Sequence, residues 1–458
     1  MQTHFSDSQR ADPAIQVADA VLRKCVHCGF CTATCPTYRV TGDELESPRG
    51  RISLIQNLLE SGDKPTAETV ANLDHCLSCL SCESTCPSGV SYRRLIDQGR
   101  ELIEQQYRRP LADRALRALL AWLLPRQNWF RRSLLIGRLG RPMLQIIGNY
   151  SMRIAALARL IPDQLAKQTD LVKPGVYPAQ GRELKRVALI TGCVQSVLAP
   201  DIDAATIRAL TRHGCTVIVP ESSRAGCCGA LPHHLGKSAQ ARTMAEQNLA
   251  KWDTLLNGKP DNLADTPAMP VNTNAPVDAI LMTASGCGSM LKDYPHLLRD
   301  DQNAQQLSTR VKDLSQILAD LFITTKPKLT GLNQNPVIAW QNPCSLQHGL
   351  KEKNAPISVL QACGFTVKEP RDAHLCCGSA GTYNLLQPHF AQQLRADKTA
   401  RLRETGAAFA VSGNIGCITQ LTTDKSESDS LPVIHLAQAI DWATGGPMPK
   451  TVHLAPSS

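Results

Sequence analysis

Two cysteine runs of identical spacing lie near the N-terminus: Cys25-Val-His-Cys28-Gly-Phe-Cys31-Thr-Ala-Thr-Cys35-Pro36 and Cys76-Leu-Ser-Cys79-Leu-Ser-Cys82-Glu-Ser-Thr-Cys86-Pro87. Each run follows the pattern C-x2-C-x2-C-x3-C-P. Thiolates are soft metal ligands, and such short spacing lets three of them bind one metal centre. Zinc or structural disulfides would explain a single C-x2-C pair equally well, and both remain alternatives here. Two complete runs favour a larger metal centre.

The spacing is typical of the cysteines that bind [4Fe–4S] clusters in bacterial ferredoxins. In two-cluster ferredoxins the fourth cysteine of each run binds the other cluster, because the following proline turns the chain away. The predicted ligand sets are Cys25, Cys28, Cys31 and Cys86 for one cluster, and Cys35, Cys76, Cys79 and Cys82 for the other. Resemblance to these ferredoxins implies clusters roughly 12 Å apart.

Length and composition limit the possible classes of protein. A chain of 458 residues predicts about three domains. Its 18 cysteines would suggest a disulfide framework in a short secreted protein, but residues 1–16 lack the apolar region of a signal peptide. No apolar run approaches the ~18 residues that span a bilayer. We therefore expect a reducing, cytoplasmic setting in which the thiols bind metal.

The positive charge is concentrated in one stretch. The chain carries a net charge of +9, and residues 108–159 alone contain eleven arginines and a single acidic residue, Asp113. The remainder is close to neutral, which argues against a general nucleic-acid binder. Two interpretations remain open. The stretch forms amphipathic helices that pack on the protein or a partner, or it lies on a membrane surface through its arginines, Trp122, Trp129 and Phe130.

The N-terminal part is predicted to be helical. Apolar periodicity predicts a helix over 14–24, and Ser47-Pro48 is a helix start that Gly62 ends. Further helices are predicted over 67–73 and 92–107. Prolines divide residues 108–170 into three short helices, and residues 174–181 form a linker.

The C-terminal part repeats one order of elements: strand, helix, strand, helix, strand. The first copy is predicted over 187–191, 202–213, 216–220, 240–256 and 279–283, and the second over 337–340, 357–362, 366–369, 389–405 and 408–412. This alternation predicts parallel βαβ units. The segment 257–277, rich in proline and asparagine, is predicted to be a surface loop inserted into the first copy.

Each copy contains a Cys-Cys-Gly motif, CCG, with further cysteines at the ends of strands. Open α/β sheets place their sites at such strand ends. The candidate metal ligands are Cys193, Cys227, Cys228 and Cys287 in the first copy, and Cys344, Cys376, Cys377 and Cys417 in the second. They would hold a cluster or another metal, act as a redox pair, or remain buried thiols. Cys215 and Cys363 are expected in the core. Gly229 and Gly378 should permit close backbone approach.

Six histidines lie near the cysteines of the two N-terminal runs or of the CCG motifs. His27 and His75 are expected to be solvated, whereas a ligand or proton-donor role is open for His233, His234, His348 and His374.

Together with Ser47-Pro48-Arg49-Gly50-Arg51, Leu375–Asn384 and Ser412–Cys417, these motifs resemble the iron–sulfur subunit of bacterial glycolate oxidase, or glycolate dehydrogenase. More distantly similar families are the iron–sulfur subunit of anaerobic glycerol-3-phosphate dehydrogenase, lactate-utilisation iron–sulfur proteins and the CCG-containing subunit of heterodisulfide reductase. In the last, the motif ends in C-x2-C. Here Met290 and Gln420 stand three positions after Cys287 and Cys417, which argues against a heterodisulfide-type cluster.

The resemblance implies a multi-domain fold: an α-helical two-cluster ferredoxin domain followed by a duplicated α/β cysteine-rich (CCG) domain. The expected bounds are 1–107 for the ferredoxin domain, 108–181 for the basic helical segment and linker, 182–330 for the first CCG domain and 331–458 for the second.

The resemblance also implies a function without catalytic residues of its own. The chain would be the non-flavin subunit of a glycolate dehydrogenase, an oxidoreductase acting on CH–OH donors, and inactive alone. Because no nicotinamide or flavin fingerprint is present, FAD would sit on partner flavoprotein subunits that oxidise glycolate to glyoxylate, or D-lactate to pyruvate. Electrons would pass through the clusters to a quinone at the cytoplasmic face of the inner membrane.

Alternatives are a CCG subunit of a related lactate, glycerol-3-phosphate or heterodisulfide-type complex, a catalytic disulfide or quinone reductase, and a non-redox scaffold with structural metal.

Overall fold

The structure, a computed structural model, describes residues 1–167, 169–220, 226–257, 276–299, 301–332, 334–422 and 431–452. The predicted surface loop over 257–277 lies almost wholly outside these residues. Within them, no helix is both long and apolar enough to cross a membrane.

The N-terminal domain is built from short helices around a small apolar core. They are α1 Asp7–Arg10, α2 Pro13–Lys24, α3 Phe30–Ala33, α4 Pro36–Thr41, α5 Pro48–Ser61, α6 Ala67–Asp74, α7 Ser81–Thr85 and α8 Tyr92–Gln106, with a 3₁₀ turn at Glu44–Glu46. The predicted start and end of α5 are confirmed: the Ser47 side chain accepts the Gly50 N–H, and Gly62 is left-handed. Leu22, Ile55, Leu73 and Leu95 are fully buried between the helices.

Four helices connect this domain to the rest of the chain, one more than the sequence predicts. They are α9 Leu111–Leu123, α10 Gln127–Leu139, α11 Arg141–Gly148 and α12 Met152–Leu160. The prediction of three is wrong because the turn at residues 149–151 adds a break that contains no proline. The prediction of a linker over 174–181 is also incomplete, since β1, Gly175–Tyr177, pairs antiparallel with a strand of the next domain.

The first α/β domain has a five-stranded sheet in the order β1-β3-β2-β4-β5, parallel except for β1. Its elements after β1 are β2 Lys185–Leu189, α13 Gln195–Leu198, α14 Pro200–Arg212, β3 Cys215–Val219, α15 Ala230–His234, α16 Ser238–Asn257, β4 Ala279–Leu281, α17 Ser285–Lys292, α18 Tyr294–Leu297, α19 Gln302–Arg310, β5 Val311–Lys312 and α20 Leu314–Thr324. The predicted βαβ alternation is confirmed.

The second α/β domain has a fully parallel four-stranded sheet in the order β7-β6-β8-β9. Its elements are β6 Val337–Gln341, a π-helix Ser345–Gly349, α21 Ala355–Ala362, β7 Thr366–Lys368, α22 Tyr383–Leu386, α23 Pro388–Glu404, β8 Phe409–Ser412, α24 Ile415–Thr422, β9 Val433–His435 and α25 Leu436–Ala443. In both domains the central strand, β2 or β6, has its successors on opposite sides. A crevice forms at the carboxyl end of such a strand.

The two α/β domains pack through one continuous apolar core. It extends from β2 and α14 of the first domain to β6 and α25 of the second, and includes the fully buried Trp340 and the predicted core cysteines Cys215 and Cys363. At its edge Asp441 on α25, 1% exposed, accepts hydrogen bonds from Arg208 and Arg212 on α14. The two domains are therefore held together by burial and by a buried carboxylate.

Candidate metal centres

The first predicted ligand set lies together at the protein surface. Cys25, Cys28, Cys31 and Cys86 line one cavity with Val26 and Phe30, and we call these four cysteines the surface quartet. Burial and then the other three thiols raise the pKa of Cys31 to about 11, which places all four within electrostatic range. Cys28 is exposed, and the neighbouring Val26 and Phe30 have exposed fractions of 67% and 62%. The quartet is therefore accessible from outside.

The second predicted set is more deeply placed. Cys35, Cys76, Cys79 and Cys82, here the inner quartet, line a second cavity, and Cys82 also lines the first. Burial, followed by the other three thiols, raises the pKa of Cys82 well above its ordinary value. The cysteines of the two runs are thus grouped as a two-cluster assignment requires. The identity of the bound group remains a prediction.

The two runs adopt the same backbone, which is unusual for ordinary side chains. His27 and Gly29 in the first run, and Ser78 and Leu80 in the second, all have positive φ. Such left-handed residues turn successive N–H groups toward one point, a geometry that binds anions. Around the quartets, the Ser78 N–H donates to Cys76 Sγ at 3.4 Å and the Val90 N–H donates to Cys86 Sγ at 3.5 Å. Thiolate-bound clusters are stabilised by such donors, so the chain fits the predicted clusters.

The Ser47–Arg51 stretch between the runs supports both quartets. Ser47 caps α5, and Arg49 pairs with Glu44 at 2.7 Å and donates to the His27 carbonyl at 3.2 Å. A Cβ on Gly50 would lie 2.1 Å from the Glu44 carbonyl oxygen, so only glycine fits this approach. The stretch is therefore a packing element that fixes the cysteine loops.

Arg51 is the buried cation of the inner quartet. Its side chain is 1% exposed, and its Nη1 lies 3.9 Å from Cys35 Sγ. It donates to Glu46 Oε2 at 2.6 Å, to Thr37 Oγ1 at 3.0 Å and to the Asn72 carbonyl at 2.7 Å. In the same quartet, the Tyr92 hydroxyl donates to Cys76 Sγ at 3.7 Å. A positive charge and a hydroxyl donor beside the sulfurs favour the more negative form of any metal centre held there.

The CCG cysteines converge in each α/β domain, at the carboxyl ends of the central strands. In the first CCG site Cys193 Sγ lies 3.7 Å from Cys227 Sγ, and neighbouring thiols shift one another's pKa in the order Cys193, Cys227, Cys228 and Cys287. In the second CCG site the corresponding order is Cys344, Cys376, Cys377 and Cys417. Four adjacent thiols are a donor set for zinc or iron. Both sets assemble as the sequence predicts, and the ligand that they hold remains a prediction.

The glycines of the CCG motifs allow close approach to a helix. Gly229 and Gly378 have φ near +80°, at +80° and +84°, and an added Cβ would lie 3.2 Å and 2.6 Å from the carbonyl oxygens of Ala241 and Ala391. The predicted close approach is confirmed, and its partner is the backbone of α16 or α23.

The second CCG site adjoins the inner quartet. Cys79, Cys344 and Cys376 belong to one apolar cluster with Leu77 and Phe390. After burial, Cys344 is the largest influence that raises the pKa of Cys79. Where these parts meet, the Tyr383 hydroxyl donates to the His75 carbonyl at 3.0 Å.

The prediction of a solvated His75 is wrong, because its ring packs 4.6 Å from that of Phe390 and its Nδ1 lies 2.6 Å from Glu46.

The histidines near the CCG sites serve mainly as contacts between domains. Nε2 of His233 lies 3.1 Å from Asp97 of α8, and Nδ1 of His348 lies 2.8 Å from the Ser84 hydroxyl of α7. Asp97, His233 and Asp293 could together face one metal ion, with ligand atoms within 4.8 Å of one another. Asp293, however, already binds the Arg94 guanidinium. These contacts fasten the N-terminal domain to both α/β domains.

Helices α9–α12 present an exposed apolar face edged with arginines. Leu135, Ile136, Leu139, Met143 and Ile146 are all exposed on α10 and α11. Arg126 lies over the Trp122 ring and Arg132 over the Trp129 ring, at 5.0 and 5.4 Å. The opposite face is buried through Leu120, Phe130 and Leu134. Because Arg109, Arg117 and Arg153 pair with Asp74 or Asp113, the effective charge of the segment is smaller than its sequence suggests.

The fold and its cysteine sites define an iron–sulfur protein with a helical dicluster domain and two cysteine-rich α/β domains. The family described as "4Fe-4S dicluster domain" matches residues 21–90, and the "Cysteine-rich domain" matches residues 187–292 and 338–422. The chain belongs to the family of glycolate oxidase iron–sulfur subunits. The predicted resemblance and fold class are thereby confirmed.

Three relatives illustrate the similarity. The glycolate oxidase iron-sulfur subunit of Escherichia coli K12 is 38% identical over 425 residues, 92% of this chain and 95% of the relative. A probable glycolate oxidase iron-sulfur subunit of Bacillus subtilis is 31% identical over 446 residues, 93% and 94% of the two chains. Lactate utilization protein A of Shouchella clausii is 23% identical over 261 residues, 56% of this chain and 98% of the relative.

Sequence reasoning missed several residues around the sites. Arg51 stood inside the Ser47–Arg51 stretch, but nothing in the sequence shows that its side chain turns inward. Lys398 on α23 is 1% exposed, although its sequence context is that of an ordinary surface lysine. Met290, at the position where heterodisulfide reductase has a cysteine, is a buried core residue.

Proposed function

We propose that this chain is the electron-transfer subunit of a glycolate-oxidising complex. Its partner flavoprotein would oxidise glycolate to glyoxylate, or D-lactate to pyruvate, and this chain would pass the electrons toward a quinone. The observation that carries the proposal is the placement of the cysteine sites. The surface quartet faces solvent, while the inner quartet shares an apolar cluster with the second CCG site. The names of its relatives support the substrate class.

In this proposal the two quartets hold [4Fe–4S] clusters, which exchange single electrons, and the CCG sites hold a further cluster or metal. Cys28→Ser and Cys79→Ser should each remove one EPR signal of the reduced protein. Iron analysis should give about eight atoms per chain for two cubane clusters, and more if the CCG sites also carry iron. Cys215→Ala is the matched control, since Cys215 is a buried core cysteine that belongs to none of the four ligand sets. Stoichiometric zinc without sulfide would overturn the proposal.

The flavin is assigned to the partner subunits, so the isolated chain should not oxidise glycolate even with an artificial electron acceptor. Co-expression with flavoprotein subunits should yield a stable, active hetero-oligomer. Turnover of glycolate by the chain alone would contradict this division of roles.

The rim of the surface quartet is our candidate for the contact with the flavoprotein. Val26 and Phe30 expose large apolar side chains beside Cys28, and such side chains commonly mark interaction sites. Val26→Ser with Phe30→Ser should weaken co-purification of the flavoprotein. Exposed Leu329→Ser in the first α/β domain is a control of similar surface chemistry. Equal loss in the control would indicate a general effect of surface polarity.

Helices α9–α12 are our candidate for contact with the cytoplasmic face of the inner membrane. Their apolar face could enter the interfacial region, while arginines on its edge meet anionic headgroups, each contributing ~1 kcal/mol. Flotation with anionic liposomes should be lost at high salt, because surface charge is screened. Replacing Arg126, Arg131, Arg132 and Arg138 by glutamine should weaken flotation without bleaching the clusters. If the assembled complex ignores anionic liposomes at low salt, this face packs on a partner subunit.

A further inference from the structure

Lys398 is a buried cation whose surroundings supply no carboxylate partner among the interactions described. Its side chain lies on α23 in the second α/β domain and is 1% exposed. Its ammonium donates to the Ala373 carbonyl at 2.9 Å. An ammonium has three donors, so this contact satisfies only part of its capacity. A buried charge left in this state is costly unless a negative charge lies nearby.

The thiols of the second CCG site are the groups that could supply that negative charge. Leu394 and Leu402, four residues before and after Lys398 on the same face of α23, pack in apolar clusters with Cys376 and with Cys377. Burial lowers the pKa of Lys398, and Cys377, Cys376, Cys417 and Cys344 raise it. These are all four members of the site. Thiols become thiolates when they bind a metal ion. The ammonium therefore lies where a thiolate-bound centre would need positive charge.

The first α/β domain has a neutral residue at the corresponding position. The CCG glycines fix the register between the copies, because Gly229 packs on Ala241 of α16 and Gly378 on Ala391 of α23. Seven residues further along each helix stand Asn248 and Lys398. The Asn248 amide donates to the Cys227 carbonyl and to the Tyr294 hydroxyl, both at 2.9 Å. The same position thus carries an amide near the first site and a charge near the second.

We propose that Lys398 is the counter-charge of the second CCG site, and that this site is built for an anionic, thiolate-bound metal or iron–sulfur centre, whereas the first CCG site has the neutral Asn248 at the equivalent position. The inference rests on the proposed function and adds a positioning residue to it. When bound, such a centre gains negative charge on reduction. Lys398 would therefore strengthen metal retention at the second site and raise its reduction potential.

The test uses the full chain co-expressed with its flavoprotein partner. Cys376→Ser first identifies the metal held by the second site, as the zinc or iron lost relative to the wild type. Lys398→Met then removes the charge while keeping the length of the side chain, and Lys398→Arg keeps the charge. Lys353→Met, at an exposed lysine of the same domain, is the matched control. The readouts are the rate of metal loss to a chelator and, for iron, an EPR-monitored redox titration.

The expected result is about a tenfold or greater acceleration of second-site metal loss in Lys398→Met. Two unit charges within roughly 12 Å of each other interact by at least that factor at an effective dielectric constant of about 20. The reduction potential should fall by about 59 mV, which corresponds to a tenfold change in the equilibrium constant of a one-electron couple. Lys398→Arg and Lys353→Met should stay close to the wild type. If Lys398→Met does not accumulate, Lys398→Gln replaces it.

Two results would overturn the inference. One is unchanged metal retention and potential in a folded Lys398→Met chain, and the other is no loss of metal on Cys376→Ser. The EPR signals of the two N-terminal quartets test the proposed function separately. Their presence together with an unresponsive second site would reject the role of Lys398 alone.

Discussion

Replacing Arg51 by methionine should strongly destabilise the N-terminal domain. Methionine fills much of the same space but removes the charge and every hydrogen bond of the guanidinium. The Glu46 carboxylate, in a residue 5% exposed, would keep only the His75 ring as a hydrogen-bond partner, and the Asn72 carbonyl would lose its donor. The loss of one member of a buried ion pair commonly costs about 3–5 kcal/mol, because the other charge stays buried. We expect a loss in this range.

Two further variants test whether the buried charge is responsible. Arg51→Met combined with Glu46→Gln removes both charges, and it should recover much of the stability lost in the single variant. Arg51→Lys keeps the charge, but it cannot reproduce the fork that reaches Glu46, Thr37 and Asn72 together. It should therefore lie between the wild type and Arg51→Met.

The assay is anaerobic denaturant unfolding, followed by circular dichroism and by iron–sulfur absorbance, with EPR of the reduced protein at each midpoint. The inner quartet should lose its cluster before the surface quartet in Arg51→Met, because Arg51 touches Cys35. A single variant within about 1 kcal/mol of the wild type would refute the reasoning, since leaving the buried Glu46 carboxylate without Arg51 should cost more than this. A double variant less stable than the single would refute it as well.

Three smaller changes test other parts of the structure. Gly50→Ala places a Cβ 2.1 Å from the Glu44 carbonyl and should cost about 1–3 kcal/mol, seen as a lower melting temperature and reduced iron content. Burial raises the pKa of Asp203 from its ordinary value of 3.8 to about 7. The folded wild type therefore holds a proton that the unfolded chain releases, and its stability should fall as the pH rises from about 4 through about 7. Asp203→Asn should remove this loss, and equal pH dependence in both proteins would contradict it. Asp441→Asn weakens the contact with Arg208 and should cost about 1–3 kcal/mol, with faster proteolysis between the α/β domains. An unchanged proteolysis rate would argue that the shared apolar core alone holds these domains.

The sequence was most informative where chemistry depends on local spacing. The cysteine runs, the cap of α5 and the βαβ alternation are all local patterns, since a few neighbouring residues determine each of them. Boundaries of the repeated helices and strands fall within a few residues of their predicted positions. The additional break at residues 149–151 was not predicted, because no proline marks it. Strand β1 was not predicted either, because a three-residue edge strand is stabilised by its partner and its own sequence carries little pattern.

Tertiary structure decided what surrounds the cysteines. The sequence by itself determined which thiols are available and that each set of four follows one repeated pattern. It could not show that Arg51 turns toward Cys35, that Lys398 is buried on the face of α23 that packs against the second CCG site, or that this site adjoins the inner quartet. Those contacts join residues far apart in the chain, and burial of an arginine or lysine is settled by the partners that packing brings to it. The exposed face of α9–α12 follows the same rule, because only packing decided which apolar side chains remained uncovered.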